Sequence, residues 1–307
     1  MKKIAFYCCS NGYGHFHRTL QIVKYLKNLD VSIYCNEYQY KKFSNKLPVA
    51  KYIFYEKYNI RWDDVIKNNH FDYKTYVKNV QGSVKDIDKY DLVITDNLVE
   101  ILKYRSDAIY SGSFLWFDVF QEKFGDNEFT INEKELFYKH EPLVVCNDEV
   151  SLRSLKSYEN KLDIGWGCDD MSTEDYQPNN FCFIVPSLNY TSNYLEKFLE
   201  IREQFKNKYN MSFNINNKHN SVFIVRPGLG IINTCVSYKI PMICLYSDED
   251  SFEIKCLSKK VEKLGFGISL NVNENLKRKK LDFQKMRSKY VQEMGGYKKF
   301  ARFINNV

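Results

Sequence analysis

Apolar residues fall along this chain in short β-branched or aromatic runs that alternate with longer stretches of helical periodicity. The run Lys3–Cys9 predicts a buried strand, and the stretch Arg18–Leu29 carries its leucine, isoleucine and valine residues at the spacing of one helix face. The first half also predicts strands at 31–36, 52–55, 91–95, 108–111 and 143–146, and a helix near 73–86. Such alternation predicts parallel sheets with right-handed crossover connections.

A second series of the same kind follows a polar stretch, Asp169–Asn180, which is a candidate linker. It predicts strands at 181–186, 212–215, 222–225 and 242–246, and helices at 192–207 and 231–238. The 307 residues are enough for two domains of ordinary size. We therefore predict two doubly wound, Rossmann-like α/β domains, 1–168 and 169–307, that face each other across a cleft. In this two-domain arrangement, the last helix of the chain can pack against the N-terminal domain.

A glycine turn separates the first strand from the first helix, with the sequence Gly12-Tyr13-Gly14-His15-Phe16-His17-Arg18. Glycines let the backbone approach a ligand, and the start of a helix favours negative charge. His15 would face such a ligand. A dinucleotide fingerprint is excluded because its third glycine is replaced by His17, and no Gly-Lys-Ser/Thr is present for a phosphate loop. A histidine that only caps the helix is the alternative.

The second half has a similar turn, Arg226-Pro227-Gly228-Leu229-Gly230, between a strand and the helix 231–238. The free amides of this helix start are suited to a diphosphate, and Arg226 is suited to neutralise its charge. A plain helix start after a proline is the other interpretation.

Composition narrows the class of protein. An apolar fraction of 44% with 16% aromatic residues is typical of a packed globular protein. The nine cysteines contain no Cys-x-x-Cys pair, which indicates buried thiols in a reducing compartment. Because the chain opens directly into a strand, we expect a cytoplasmic protein without a signal peptide. The net charge of +7 suits phosphate-bearing ligands or an anionic membrane surface, and no motif for nucleic acid is present.

Four pieces in the second half occur in a fixed order: Gly228-Leu229-Gly230, Ile240-Pro241-Met242, the acidic loop 248–253 and Gly265-Phe266-Gly267. This order resembles the donor-binding region of GT-B nucleotide-sugar glycosyltransferases related to the bacterial peptidoglycan N-acetylglucosaminyltransferase. The start Gly12 to Arg18 is similar to the Gly-x-Gly-His-x-x-Arg of several of these families, and 91–96 is similar to their strand that ends in an aspartate.

The resemblance implies the GT-B fold and an inverting transfer of a sugar, most simply from a UDP-linked donor, to an acceptor hydroxyl in polysaccharide or glycoconjugate biosynthesis. It implies His15 as general base and Asp96 as the group that orients it. It further implies a reaction with no required metal ion and no cofactor, because amides and Arg226 would stabilise the leaving diphosphate. The implied contacts to the sugar donor come from Gly12, Gly14, Arg18, Ser187, Arg226, Gly228, Leu229, Gly230, Ile231, Thr234 and Glu253. Thr234 stands where many of these enzymes have a ribose-binding glutamate.

Other functions stay open at this stage. The nucleotide-sugar hydrolase of pseudaminic acid synthesis shares the Gly-x-Gly-His-x-x-Arg start, and its histidine would activate water. A sugar-nucleotide epimerase and a non-enzymatic binding protein are weaker alternatives. The acceptor is open among carbohydrate, lipid-linked and protein molecules, and peripheral contact with the inner face of a membrane is compatible with the charge. The aromatic segments 55–70 and 113–129 are candidates to hold an acceptor or to pack on each other.

Overall fold

A computed structural model describes residues 1–68, 70–84, 86–167, 180–184, 192–209, 212–213, 221–289 and 294–307. Its contacts divide the chain into two units. The first unit comprises Met1–Gly165 and Gly296–Val307, and the second comprises Trp166–Gly295. The candidate linker 169–180 lies almost entirely outside the described residues.

The first unit is built on a seven-stranded parallel sheet of order β3-β2-β1-β4-β5-β6-β7. Because β1 pairs with β2 on one side and with β4 on the other, the chain order reverses between β1 and β4. Open α/β sheets bind ligands beyond the carboxyl ends of their strands at such a switch point. The strands are β1 (Lys2–Cys8), β2 (Leu29–Cys35), β3 (Lys51–Phe54), β4 (Leu92–Asp96), β5 (Ile109–Ser111), β6 (Val144–Cys146) and β7 (Lys161–Asp163).

Helices connect these strands, and short 3-10 turns lie at 44–46, 87–89 and 99–103. Several of the helices were not predicted from periodicity, because they are short or rich in aromatic residues. The helices up to β7 are α1 (Gly14–Val23), α2 (Glu37–Phe43), α3 (Trp62–Asn68), α4 (Tyr73–Ser83), α5 (Trp116–Phe124), α6 (Glu128–His140) and α7 (Arg153–Lys156).

The second unit has a five-stranded parallel sheet of order β12-β11-β10-β8-β9 in its described part. Its first strand, β8, pairs with β10 on one side and β9 on the other, so this sheet also has a switch point. The strands are β8 (Asn180–Ile184), β9 (Ser212–Phe213), β10 (Ser221–Val225), β11 (Met242–Tyr246) and β12 (Gly267–Asn271). The helices are α8 (Ser192–Tyr209), α9 (Leu229–Ser237), α10 (Phe252–Leu264) and α11 (Phe283–Ser288).

The last helix, α12 (Gly296–Asn306), belongs to the first unit. Its residues Phe300, Ala301 and Ile304 are buried in one hydrophobic cluster with side chains of β1 and α1 such as Ile4 and Leu20. An amphipathic helix gains most of its stability from burying such an apolar face. None of the helices in the described part of the chain has the length and apolar character that a membrane crossing requires.

The predicted bounds of the first helix were wrong. The helix begins at Gly14 instead of Arg18 and ends at Val23, while Leu29 is the first residue of β2. Lys24 is the C-cap of the helix, and Asn28, directly before β2, adopts a left-handed φ of 57°. Apolar side chains at helical spacing therefore come from a helix, a turn and a strand in succession.

The two aromatic segments 55–70 and 113–129 are partly helical. They contain α3 and α5, and the ring of Trp62 is fully buried, with its centroid 5.2 Å from that of Trp116 and 5.1 Å from that of Phe120. Phe71 and Phe129 complete this aromatic cluster at 5.3 Å each from Trp62. Aromatic pairs at these distances stabilise a core. The rings therefore pack on each other, and their role in holding an acceptor stays a prediction.

Candidate functional site

His15 lies in the first turn of α1, directly after the carboxyl end of β1. The turn before it needs a glycine at Gly12, because φ there is 71°. Arg18 follows His15 by three residues and therefore lies on the same face of the helix. The early start of α1 is what brings these two side chains together.

Asp96 is the last residue of β4 and lies beside the end of β1, with Cys8 as its register partner. The amide of Cys9 donates to the carbonyl oxygen of Asp96 at 3.1 Å, which joins the two strand ends. The side chain of Asp96 is only 2% exposed. A buried carboxylate must be paired to be stable, and its partners come from α1.

Asp96 binds both His15 and Arg18. Its Oδ1 lies 2.7 Å from His15 Nδ1 and also accepts from Arg18 Nη2, and its Oδ2 accepts from Arg18 Nε at 2.9 Å. Arg18 Nη2 is 3.4 Å from His15 Nδ1. The three side chains thus form a compact triad at the switch point of the first sheet.

The charges of the triad oppose the effect of burial. Burial alone would raise the pKa of Asp96, but the charges and hydrogen bonds of Arg18 and His15 outweigh it and hold that pKa below its usual value. Burial alone would lower the pKa of Arg18, but the Asp96 carboxylate more than compensates and leaves it raised. Asp96 is therefore an anion and Arg18 a cation at any pH near neutrality.

The hydrogen bonds assign the tautomer of His15. An ionised carboxylate only accepts, so Nδ1 carries the proton that is donated to Asp96. Nε2 then keeps its lone pair in the neutral imidazole and is available as a base. The His15 side chain is 11% exposed, which leaves part of the ring accessible. This arrangement is suited to removing a proton from a bound hydroxyl or water.

The loop before His15 is held by α2, a helix that the hydrophobic pattern did not predict. Gln39 is fully buried and donates from Nε2 to the carbonyl oxygens of Cys9 at 3.0 Å and Gly12 at 2.8 Å. Tyr38 donates its hydroxyl to the carbonyl oxygens of Ser10 and Gly12. The signal was present in the sequence, since Asn36 and Gln39 form a capping box at the start of α2.

The second unit presents the start of α9 after β10. Gly228 is the N-cap in an extended conformation, and none of the described side chains caps this end. A methyl group added at Gly228 or Gly230 would meet no atom within 4 Å among the described residues. The first amides of a helix have no intrahelical acceptor, so this helix start offers hydrogen-bond donors to an anion.

Arg226 lies just before this helix and pairs with Asp250. Its Nε donates to Asp250 Oδ1 at 2.8 Å, and the two side chains are 15% and 7% exposed. Asp250 Oδ2 also accepts from the amide of Ser247 at 2.7 Å and from the hydroxyl of Tyr194. Arg226 is therefore fixed by its carboxylate partner beside the start of α9.

The other residues predicted to contact the sugar donor lie in α9, in α10 or outside the described residues. Leu229, Gly230, Ile231 and Thr234 all belong to α9, where the Thr234 hydroxyl donates to the carbonyl oxygen of Gly230 at 3.1 Å. Glu253 lies in the first turn of α10, so its carboxylate is close to another helix start. Ser187 lies outside the described residues.

No protein-family model matches this sequence, and comparison with curated protein sequences finds no match. Solved structures do match over the whole chain. The calicheamicin glycosyltransferase CalG4 is 12% identical with a TM-score of 0.64, covering 100% of this chain and 98% of its own. The glycosyltransferase SnogD from Streptomyces nogalater is 9% identical with a TM-score of 0.60, covering 99% and 98%. Arabidopsis thaliana UGT89C1 complexed with UDP is 10% identical with a TM-score of 0.62, covering 99% of each chain.

These likenesses define the fold. Two parallel α/β sheets with doubly wound connections match glycosyltransferases of the GT-B type along their full length. The predicted GT-B fold is confirmed.

Proposed function

We propose that this protein transfers a sugar from a nucleotide-sugar donor to an acceptor hydroxyl, with inversion at the anomeric carbon. The observation that carries the proposal is the pair of His15 and Asp96, in which Nδ1 donates to the carboxylate at 2.7 Å and Nε2 is left as the base. The fold shared with glycosyltransferases supports this reaction class.

In the proposed step, His15 Nε2 removes the proton of the acceptor hydroxyl as its oxygen attacks the anomeric carbon. The bond from that carbon to the diphosphate oxygen breaks, and the nucleoside diphosphate leaves with the electron pair. The resulting imidazolium is stabilised by the Asp96 carboxylate. A single displacement of this kind inverts the configuration of the sugar carbon.

The start of α9 is the proposed diphosphate site. Its amides and dipole favour a negative group, and Arg226 adds a positive charge next to it. Solved structures of this fold include complexes with UDP and with thymidine diphosphate, which supports a pyrimidine nucleotide in the donor. We therefore propose a UDP-linked sugar as the first candidate for the donor.

Two finer assignments belong to the same proposal. The Gly-x-Gly-His-x-x-Arg start supports a relation to the peptidoglycan N-acetylglucosaminyltransferase type. Thr234 cannot bind a ribose as a glutamate does, so the ribose must use other groups.

We also propose metal-independent transfer, since amides and Arg226 would stabilise the leaving group. Activity should survive EDTA unchanged, and loss that is restored by Mg²⁺ or Mn²⁺ would contradict this.

Product analysis tests the reaction class. The protein is incubated with a panel of UDP and TDP sugars, with and without candidate carbohydrate and lipid-linked acceptors, and products are followed by NMR. We expect an inverted glycoside that forms only with an acceptor. Rapid release of free sugar that does not depend on an acceptor would indicate a hydrolase instead, in which His15 activates water.

A further inference from the structure

We propose that Arg18 is a positioning residue that keeps His15 unprotonated by opposing the attraction of Asp96 for an imidazolium. For its catalytic meaning this inference rests on the proposed function. It assigns Arg18 to the base in place of the contact with the sugar donor implied by the resemblance.

The geometry of Arg18 supports a double role. Its Nε donates to Asp96 Oδ2 at 2.9 Å, and its Nη2 donates to Asp96 Oδ1, the same oxygen that binds His15. Nη2 is also 3.5 Å from the carbonyl oxygen of Ser111 at the end of β5. The planar fork therefore fixes the carboxylate plane, and the carboxylate fixes the imidazole.

The distances show why the charge of Arg18 matters. Protonation of His15 would place a positive ring 2.7 Å from Asp96 Oδ1 but also 3.4 Å from Arg18 Nη2. Coulomb energies fall inversely with distance, so the repulsion is about four-fifths of the attraction. A buried aspartate alone would favour the imidazolium form of His15, which cannot accept a proton. Arg18 cancels most of that effect while it leaves the orienting hydrogen bond intact.

The other titratable groups near the triad do not change this balance. Burial raises the pKa of the thiols of Cys8 and Cys9 at the end of β1, and also that of the Tyr110 phenol on β5, so all three stay neutral. Tyr297 of α12 interacts electrostatically with Arg18 and contributes another phenol, which is uncharged at neutral pH. In the described part of the chain, Asp96 and Arg18 are thus the charged side chains in contact with His15.

A titration of the free protein tests the inference without any sugar. Protein labelled with ¹⁵N-histidine is followed by NMR across pH, and the His15 ring signal is assigned by its loss in His15→Gln. We expect Arg18→Gln to move the His15 midpoint upward by about one pH unit or more. Arg105→Gln is the matched control, because Arg105 is also largely buried and paired with an aspartate, Asp107. The control should leave the midpoint in place.

Two further variants separate charge from packing. Arg18→Lys keeps the charge and should titrate near the wild type, so a midpoint equal to that of Arg18→Gln would overturn the inference. Asp96→Asn leaves the guanidinium without its carboxylate and should lower the midpoint. An unchanged midpoint in this variant would overturn the inference.

The readout distinguishes this inference from the proposed function. If the midpoints move as expected and no acceptor is glycosylated, the role of Arg18 stands and the proposed reaction fails. If sugar transfer is observed and the His15 midpoint is the same with and without Arg18, the reaction stands and the role of Arg18 is overturned.

Discussion

At the scale of single residues, the site depends on which side chains share Asp96. His15 and Asp96 were predictable, because the glycine turn and the strand that ends in an aspartate lie at the carboxyl ends of two strands. The partnership of Arg18 was not. It requires the helix to begin at Gly14, whereas the apolar pattern placed the start at Arg18. The geometry of a triad is thus sensitive to helix bounds that periodicity alone does not fix.

Arg226 provides a residue-level test of the diphosphate site. In Arg226→Gln we expect weaker binding of UDP than in the wild type, by roughly tenfold, the loss typical of one charge-assisted contact. Binding of uridine, which lacks phosphate, should change little. Isothermal titration measures both, with Arg278→Gln as the control for the loss of one exposed positive charge in the same unit. An equal loss of affinity for UDP and for uridine would show that Arg226 has only a structural role.

Two buried carboxyl groups, Glu100 and Glu133, lie outside the proposed chemistry and make a separate prediction. They are 6% and 3% exposed and face each other. Burial raises the pKa of Glu100 to about 8 and that of Glu133 well above its usual value. The folded state therefore holds protons that the unfolded chain releases near its ordinary carboxyl pKa.

The sign of the pH dependence follows directly. Because the pKa of these carboxyl groups is raised in the folded state, their protonation contributes to the free energy of unfolding. This contribution is fully present below about pH 4.3 and is lost as pH rises towards 8, by up to about 1.4 kcal/mol per pH unit for each proton. Glu100→Gln should flatten this dependence in urea unfolding between pH 5 and 8. Glu135→Gln, at an exposed position on α6, the helix that carries Glu133, should not. Parallel slopes for wild type and Glu100→Gln would show that the pair is not protonated in the folded protein.

At the scale of elements, the alternation of strands and helices was predictable, and most strand bounds agree within one or two residues. The helices α2, α3, α5 and α6 were not predicted, because they are short or rich in aromatic residues. Trp62 and Phe120 belong to this group. The rings pack on each other, and the assignment of an acceptor to these segments stays a prediction.

Gly267, the last residue of the motif Gly265-Phe266-Gly267, is required by the close packing of β12 against β11. A methyl group at this position, the first residue of β12, would lie 2.2 Å from the carbonyl oxygen of Met242 on β11. Backbone cannot yield cheaply, so Gly267→Ala should destabilise the second unit by about 1–3 kcal/mol. Gly230→Ala has open space and should not lower its stability. Calorimetry compares the two, and an unchanged transition in Gly267→Ala would show that the strands can separate.

At the scale of the whole molecule, each unit carries one half of the proposed chemistry. The first unit holds the base at the switch point between β1 and β4, and the second offers the start of α9 after β10. Both positions follow from doubly wound topology, which the sequence pattern predicted. The class of fold was therefore accessible from the sequence, while the hydrogen-bond partners of each site depend on side-chain packing between elements distant in sequence.

The central claim is that His15 is the base of a sugar transfer, and it is tested most directly by comparing His15→Gln with His17→Gln. His17 lies on the same helix, but its ring stacks on Phe43 and its Nε2 lies 3.1 Å from Gln21 Nε2, so it serves as a matched control. Turnover is measured with a nucleotide sugar and its acceptor, and UDP binding by isothermal titration. We predict that His15→Gln binds UDP as the wild type does, but that its turnover falls by about 100-fold or more. We predict that His17→Gln keeps the turnover of the wild type. Wild-type turnover in His15→Gln would contradict the account.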